Sequence, residues 1–332
     1  MRIMTSTTSI AANFTARPPR GSVVRFVNSY TLPLLLAAVF IASAISTPDF
    51  ATFANIRAIL INTSIVGIIA VSMTAITISG NFFSLGIASS TVLAGIVFLA
   101  VSGLTGSALA GLGAAIVLSV TLGIMQGLIV GAGLNPVITT LAVGSVIYGL
   151  VAIATKGAVV TAGSVDVAWL ATWNFLEIPL PVYIFVLFTA VAWFLTEHTL
   201  IGRNIHLLGA NRATARNSGI SPQATTIWAF IAFGIGLGVA GALNASQLHQ
   251  MQANDLAGLT MDVIAAVLVG GTAVSGGEGS PTRSALGALL IVALGNTMLL
   301  HGLDNGWRVF LVGGIVVVLV VALHVLRKVS TR

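Results

Sequence analysis

The chain has 332 residues, of which 57% are hydrophobic and 7% are charged, and its formal net charge is +6. Soluble domains carry about 25% charged residues, so the composition excludes a water-soluble protein and indicates a polytopic membrane protein. The absence of cysteine excludes disulfide bonds, thiolate metal sites and cysteine nucleophiles.

A basic leader occupies residues 1–28 and carries four arginines, which are Arg2, Arg17, Arg20 and Arg25. After the first apolar run, Ala42-Ser43-Ala44 is similar to a signal-peptidase site. A long basic leader followed by many apolar runs fits an uncleaved signal anchor better. We therefore expect the leader to stay on the chain and to lie in the cytoplasm.

Ten apolar runs follow the leader, and each is a candidate for a membrane-spanning helix of about 20 residues. The runs lie near residues 31–47, 62–79, 84–101, 108–131, 137–155, 181–196, 224–245, 261–276, 284–302 and 309–326. We predict an all-α polytopic membrane protein with about ten spanning helices (roughly eight to ten), some of them discontinuous. They form one transmembrane domain over residues 29–326, which precedes a tail at 327–332. Eight spans with two re-entrant segments is the alternative arrangement.

Basic residues predict the orientation, because loops rich in lysine and arginine stay in the cytoplasm. The leader, a polar loop at residues 196–223, Arg283 and the tail are separated from one another by even numbers of predicted spans. All four are therefore expected in the cytoplasm, and the segment 156–180 on the periplasmic side. Arg57 and Arg308 fall on the periplasmic side and disagree with this rule. The clustering of basic residues at span ends accounts for the positive charge, so we expect no nucleic-acid partner.

The polar loop, called the central loop below, reads TEHTLIGRNIHLLGANRATARNSGISPQ. Asn211 is suited to an N-cap, residues 212–217 favour a helix of about two turns, and Gly219 is suited to a left-handed C-cap. Pro222 then leads into the next span. A connector of this length is unusual in a compact protein. We interpret its short helix as a docking element at the membrane face, with a solvated connector as the alternative.

Two clusters of glycine and serine interrupt the apolar runs. The first break is SGNFFS at 79–84, and the second is GGTAVSGGEGS at 270–280. Backbone that leaves the helix within the membrane must face protein or a watery cavity, and discontinuous helices are common in transporters. Plain packing of small residues is the alternative. We expect the breaks to line or hinge a solute path formed by Ser79, Gly80, Asn81, Phe82, Ser84, Gly270, Gly271, Thr272, Ser275, Gly276, Gly277, Ser280 and Asn296.

A weak internal similarity relates the two breaks. When the sequence is offset by 196 residues, residues 69–84 align with 265–280, and five of these sixteen positions are identical. The similarity is compatible with two related halves.

No arrangement of residues in the sequence indicates catalysis. The five histidines lack metal-ligand spacing, and neither lysine, Lys156 or Lys328, follows a glycine-rich loop of the G-x-x-x-x-G-K type that binds nucleotide phosphates. Energy must therefore come from an ion gradient or from another subunit. Ion-coupled carriers keep acids inside the membrane, whereas Asp262 and Glu278 lie near predicted helix ends. An ion-coupled carrier or channel stays as the alternative from another class.

Three segments resemble the transmembrane permease subunits of bacterial ATP-binding-cassette importers of the ribose and simple-sugar class. They are GRNIHLLGANRATARNSGI (202–220), DVIAAVLVGGTAVSGGEGS (262–280) and PVITTLAVGSVIYGL (136–150). The loop positions that fit the family pattern, and that the resemblance implies couple to the ATPase, are Gly202, Arg203, Gly209, Asn211, Ala215, Ser218, Gly219 and Ile220. Three positions depart from the pattern: Phe82 replaces an acid, Ala210 replaces a glycine and Arg283 stands where glycine is usual.

The resemblance implies a transport subunit of the bacterial inner membrane that binds no cofactor itself. Its expected partners are an ATPase subunit that holds ATP, a second permease subunit in a homodimer or heterodimer, a periplasmic solute-binding protein and membrane lipid. The expected solute is a monosaccharide or a relative such as a polyol. A nucleoside or a branched-chain amino acid is the alternative within the class.

Overall fold

The computed structural model describes residues 21–304, 306–307, 309–314 and 317–318, with side chains from Leu32 onward within the first range. Its helices are α1 (Gly21–Ser46), α2 (Phe53–Ile78), α3 (Ile87–Thr105), α4 (Ala108–Gly131), α5 (Pro136–Thr155), α6 (Trp169–Thr172), α7 (Leu180–His198), α8 (Leu200–Ala210), α9 (Arg212–Asn217), α10 (Pro222–Leu248), α11 (Leu259–Val269) and α12 (Pro281–Leu300). Its strands are β1 (Val160–Thr161), β2 (Asn174–Phe175), β3 (Ile178–Pro179) and β4 (Gln250–Met251).

Seven helices in the described part of the chain are long and apolar enough to cross a membrane, namely α2, α3, α4, α5, α7, α10 and α12. The prediction of an all-α polytopic membrane protein is thereby confirmed. The apolar part of α1, Leu32–Ser46, is shorter. Helical residues at 306–307, 309–314 and 317–318 lie within or just before the last predicted apolar run. Residues 1–20 of the leader and the whole tail lie outside the described residues, whereas residues 21–28 of the leader form the start of α1.

The eighth predicted run, 261–276, is only partly helical, because α11 ends at Val269 after 11 residues. At 1.5 Å per residue this helix is about 17 Å long, roughly half of the 30 Å hydrocarbon core. Gly271 follows with a φ of +79°, which ends the helix at a residue type that tolerates the left-handed region. The segment therefore contains a discontinuous helix, as the glycine cluster predicted, with an earlier end than the apolar run suggested.

The core forms around α2, which is almost wholly buried from Thr63 to Ile78 and contacts α10, α12, α7 and α11. Glycines allow α4 and α10 to approach closely. A Cβ atom at Gly234 would lie 2.5 Å from the Ser119 carbonyl oxygen, and one at Gly238 would lie 2.7 Å from the Ile116 Cα. Small residues of this kind let membrane helices pack with backbones in contact.

The segment between α5 and α7 contains three short strands, β1, β2 and β3. The apolar pattern of the sequence does not predict these strands. β1 pairs with β4 in antiparallel register, so this segment is joined to the turn after α10. β2 and β3 form a hairpin whose turn is Leu176-Glu177. The segment is anchored further by Ser246 Oγ, which donates to the Val167 carbonyl at 2.6 Å.

Candidate functional site

Two consecutive helices, α8 and α9, make up most of the central loop. Thr199 Oγ1 accepts from Gly202 N at 3.4 Å to cap α8, and Asn211 Oδ1 accepts from Thr214 N at 3.0 Å to cap α9. Gly219 has a φ of +81° and ends the second helix. The predicted short helix, its cap and its glycine stop are therefore all present.

The two loop helices differ in what they present to the surroundings. On α8, Gly202, Ile205 and Leu208 face the protein. On α9 only Ala215 is buried, and the remaining residues, including Arg212 and Arg216, are exposed. A basic helix is thus held on the surface by a neighbour that is itself anchored in the core.

The end of α8 lies in backbone contact with the end of α2 and with the second break. A Cβ atom at Gly209 would overlap the Ile78 carbonyl oxygen and would lie 2.5 Å from Gly277 N. Gly277 N donates to that same Ile78 carbonyl at 2.8 Å. His206 Nδ1 lies 2.9 Å from the Gly277 carbonyl oxygen; because a carbonyl only accepts, Nδ1 carries the proton.

The two breaks also meet each other beside Gly209. A Cβ atom at Gly276 would lie 2.6 Å from Gly80 Cα, and one at Gly80 would lie 3.4 Å from Gly209 Cα. Gly80, Gly276 and Gly277 have φ values of +79°, +85° and +81°, a region that other residues rarely adopt. We call Gly80, Gly209, Gly276 and Gly277 the glycine junction.

Several polar residues of the breaks are buried within the chain, and Ser79 and Asn81 form side-chain hydrogen bonds there. Ser79, Asn81, Ser84 and Thr272 are at most 3% exposed. Asn81 Nδ2 donates to Ser79 Oγ at 2.8 Å and to Thr226 Oγ1 at 3.2 Å, which joins the first break to α10. These residues therefore stabilise the non-helical backbone rather than forming an open surface.

Other residues assigned to the path are exposed or lie outside the breaks. Phe82 is 46% exposed with a φ of +56°, and Ser275 is exposed. Asn296 lies near the C-terminal end of α12, where its amide exchanges two hydrogen bonds with that of Asn55. The structure thus brings the breaks and the central loop together but leaves Asn296 apart from them.

Two residues that bond to the glycine junction, Ile78 and His206, are missed by sequence reasoning. Ile78 contributes only its backbone carbonyl, which no side-chain pattern reveals. His206 contacts a residue 71 positions away, and nothing near it in the sequence marks that contact. Among the described residues there is no group of three or more histidine or acidic side chains that could hold a metal ion.

A family model described as "Branched-chain amino acid transport system / permease component" matches residues 55–321. The chain is 32% identical to the ribose import permease of Escherichia coli (strain K12) over 296 residues, which are 88% of this chain and 91% of the relative. It is 30% identical to the L-arabinose transport system permease of the same strain over 275 residues, 82% and 84% of the two chains.

The D-allose transport system permease of Escherichia coli (strain K12) is 26% identical over 323 residues, which are 94% of this chain and 96% of the relative. These matches confirm the resemblance that the central loop and the second break predicted. They extend along most of both chains, so they concern the whole membrane domain and not an isolated motif. The chain therefore belongs to the family of transport-system permease components.

Proposed function

We propose that this chain is the membrane-spanning subunit of an ATP-binding-cassette importer that carries a monosaccharide into the cytoplasm. Relatives of nearly full length are named as permeases for ribose, L-arabinose and D-allose, which favours a monosaccharide over the branched-chain amino acid in the family description. The sequence has no nucleotide-binding loop of the G-x-x-x-x-G-K type. ATP is therefore bound and hydrolysed by a separate subunit, and this chain binds no cofactor.

The glycine junction is the observation that carries the coupling mechanism. The exposed, basic α9 is the dock for the ATPase, and α8 is its rigid connection to the membrane domain. Because Gly209 contacts both breaks, a displacement of α9 that is passed on through α8 also displaces the end of α2 and the second break. The buried break residues act as a hinge, which changes between two conformations that the ATPase binds with different affinity.

The proposed topology has ten crossings in the bacterial inner membrane. They are α1, α2, α3, α4, α5, α7, α10, the segment containing α11, α12 and the helical residues after position 305. The two termini and the central loop lie in the cytoplasm, and residues 156–180 face a periplasmic solute-binding protein. Two related halves are supported by the aligned glycines, Gly80 and Gly276, which share a left-handed φ.

A second permease subunit and lipid cover the outer helices in this proposal. On α7, Pro181 is the only buried residue. α5 packs mainly on α3 and α4 and exposes Leu141, Val146 and Leu150. Apolar surface of this extent is stable only against lipid or another apolar chain.

The proposal is tested by reconstituting the chain in proteoliposomes with an ATPase subunit and a solute-binding protein from the same organism. Uptake of radiolabelled ribose, arabinose, allose and leucine is measured with and without internal ATP, and again after a protonophore collapses the proton gradient. We expect ATP-dependent uptake of one monosaccharide that the protonophore leaves unchanged. Uptake of leucine alone would contradict the solute, and uptake driven by a proton gradient without ATP would contradict the class.

A further inference from the structure

Arg57 is anomalous in two independent ways. On the proposed topology it lies on the periplasmic side, where the positive-inside rule disfavours arginine. It is also the fifth residue of α2, close to the positive end of the helix dipole, where a cation is destabilising. Because both effects destabilise a cation at this position, we expect an anion nearby that stabilises Arg57.

Within the part of the chain that the structure describes, the hydrogen-bond partner of the Arg57 side chain is neutral and does not supply this compensation. Its Nη2 donates to Asn174 Oδ1 at 2.8 Å, and Asn174 is neutral. Its Nε is buried without a hydrogen-bond partner among the described residues. An ionised guanidinium with an unsatisfied donor is costly, so the site has free capacity for an anionic oxygen ligand.

A cleft of about 130 Å³ opens beside Arg57, between the start of α2 and the β2–β3 hairpin. Arg57 and Glu177 both line it. The hairpin turn holds Leu176 and Glu177 at φ values of +49° and +64°, where glycine or asparagine is normally required. The turn therefore keeps an acid near the arginine at a local energetic cost.

The rim of the cleft is apolar and exposed. Phe53 and Leu176, which line the cleft, are 63% and 78% exposed. Trp173 and Phe175 on the hairpin are about half exposed, and their rings stack at 6.3 Å. Exposed aromatic residues beside a charged group are typical of the membrane–water interface, so this rim is suited to contact with lipid.

We propose that this cleft binds the head group of a zwitterionic phospholipid, with the phosphate on Arg57 and the primary ammonium facing Glu177. The apolar rim carries the glycerol and the start of the acyl chains. An arginine and an acid in one cleft favour this head group over a purely anionic one, because Glu177 attracts the ammonium group, which the anionic head group lacks. The inference rests on the proposed function in one respect only, which is the placement of Arg57 on the periplasmic side of the membrane.

Native mass spectrometry of the delipidated protein tests the proposal. The protein is incubated with equal amounts of palmitoyl-oleoyl-phosphatidylethanolamine and palmitoyl-oleoyl-phosphatidylglycerol, and the lipids retained on each molecule are counted. We expect the wild type to retain the ethanolamine lipid preferentially. Arg57→Gln, which keeps a donor for Asn174, should lower its retention about ten-fold, as expected for one charge-assisted hydrogen bond.

Three further variants separate the site from general lipid binding. Glu177→Gln should raise retention of the glycerol lipid relative to the ethanolamine lipid. Asn174→Ala, which removes the neutral partner, should keep the preference, as should Arg216→Gln on the exposed α9.

Equal retention by wild type and Arg57→Gln would overturn the proposal. A loss in Asn174→Ala as large as in Arg57→Gln would also overturn it, because Arg57 would then only anchor the hairpin. Because the assay contains no ATPase and no solute, its failure leaves the importer proposal standing.

Discussion

Gly209 has no side chain, which allows α8 to contact the end of α2 and both breaks. Alanine normally stabilises a helix relative to glycine by about 1 kcal/mol, and Gly209 lies in the last turn of α8. The Cβ atom would nevertheless overlap the Ile78 carbonyl, and backbone cannot move aside as a side-chain end can. Helix propensity and junction geometry therefore predict opposite effects of the same substitution.

We predict that Gly209→Ala lowers ATP-dependent uptake at least about ten-fold, since overpacking of this kind costs roughly 1–3 kcal/mol and would separate α8 from the breaks. Uptake and ATPase stimulation are measured in the reconstituted importer, and membrane insertion is checked by immunoblotting. Gly113→Ala is the matched control, because a Cβ atom there meets nothing within 4 Å. Normal uptake by Gly209→Ala would show that the junction does not transmit the movement.

The Asn55–Asn296 amide pair should serve stability and not transport. The two side chains exchange hydrogen bonds of 2.9 and 2.8 Å between α2 and α12. Loss of Asn296 leaves the part-buried Asn55 Oδ1 without its donor, although Asn55 Nδ2 still donates to the Phe50 carbonyl at 2.8 Å. An unsatisfied buried group costs about 1–3 kcal/mol, whereas loss of both partners is milder. We predict that Asn296→Ala lowers the thermal unfolding temperature in detergent more than Asn55→Leu/Asn296→Leu does. A selective loss of uptake with unchanged stability would instead assign Asn296 to the solute path.

At the scale of elements, the two breaks contain serines that differ in exposure. Ser275 is exposed, whereas Ser84 in the first break is 1% exposed. Because the chain lacks cysteine, we predict that a water-soluble maleimide labels Ser275→Cys rapidly and Ser84→Cys slowly. Nucleotide bound to the ATPase should change the Ser275→Cys rate if the break is a hinge. A rate independent of nucleotide would mean that this break is static packing.

Local signals predict some elements well. The caps and the helix of α9 are encoded within nine residues, from Asn211 to Gly219, so the sequence alone predicts them. The early end of α11 is harder to predict. Ala273 and Val274 continue the apolar run beyond Val269, whereas the left-handed backbone at Gly271 ends the helix. The β1–β4 pairing joins residues about ninety positions apart, and no local pattern encodes which distant strand is the partner.

The site was predictable in composition but not in arrangement. Both breaks and the central loop stand out because glycine and polar residues are unusual within apolar runs. Their meeting depends on the packing of α2, α8 and the second break, which are far apart in the sequence. The sequence therefore predicts Gly80, Gly209 and Gly276 as special residues without predicting that they contact one another.

For the whole molecule, six crossings separate the leader from the central loop in the proposed topology. The described chain contains α1, α2, α3, α4, α5 and α7 before the loop, whereas α6 has four residues and cannot cross. An even number of crossings puts the loop on the side of the leader. The β1–β4 pairing then joins the segment at 156–180 to the turn after α10 on the opposite side.

Reporter fusions decide this orientation. We predict that alkaline phosphatase, which is active only in the periplasm, is active when fused near Val165 and inactive when fused near Arg216. A reporter that is fluorescent only in the cytoplasm should give the complementary pattern at the same two positions, which controls for expression. The arginines of the leader and of the central loop favour this result through the positive-inside rule. The reverse pattern would place α9 in the periplasm, where no ATPase could bind it, and the coupling mechanism would fail with the orientation.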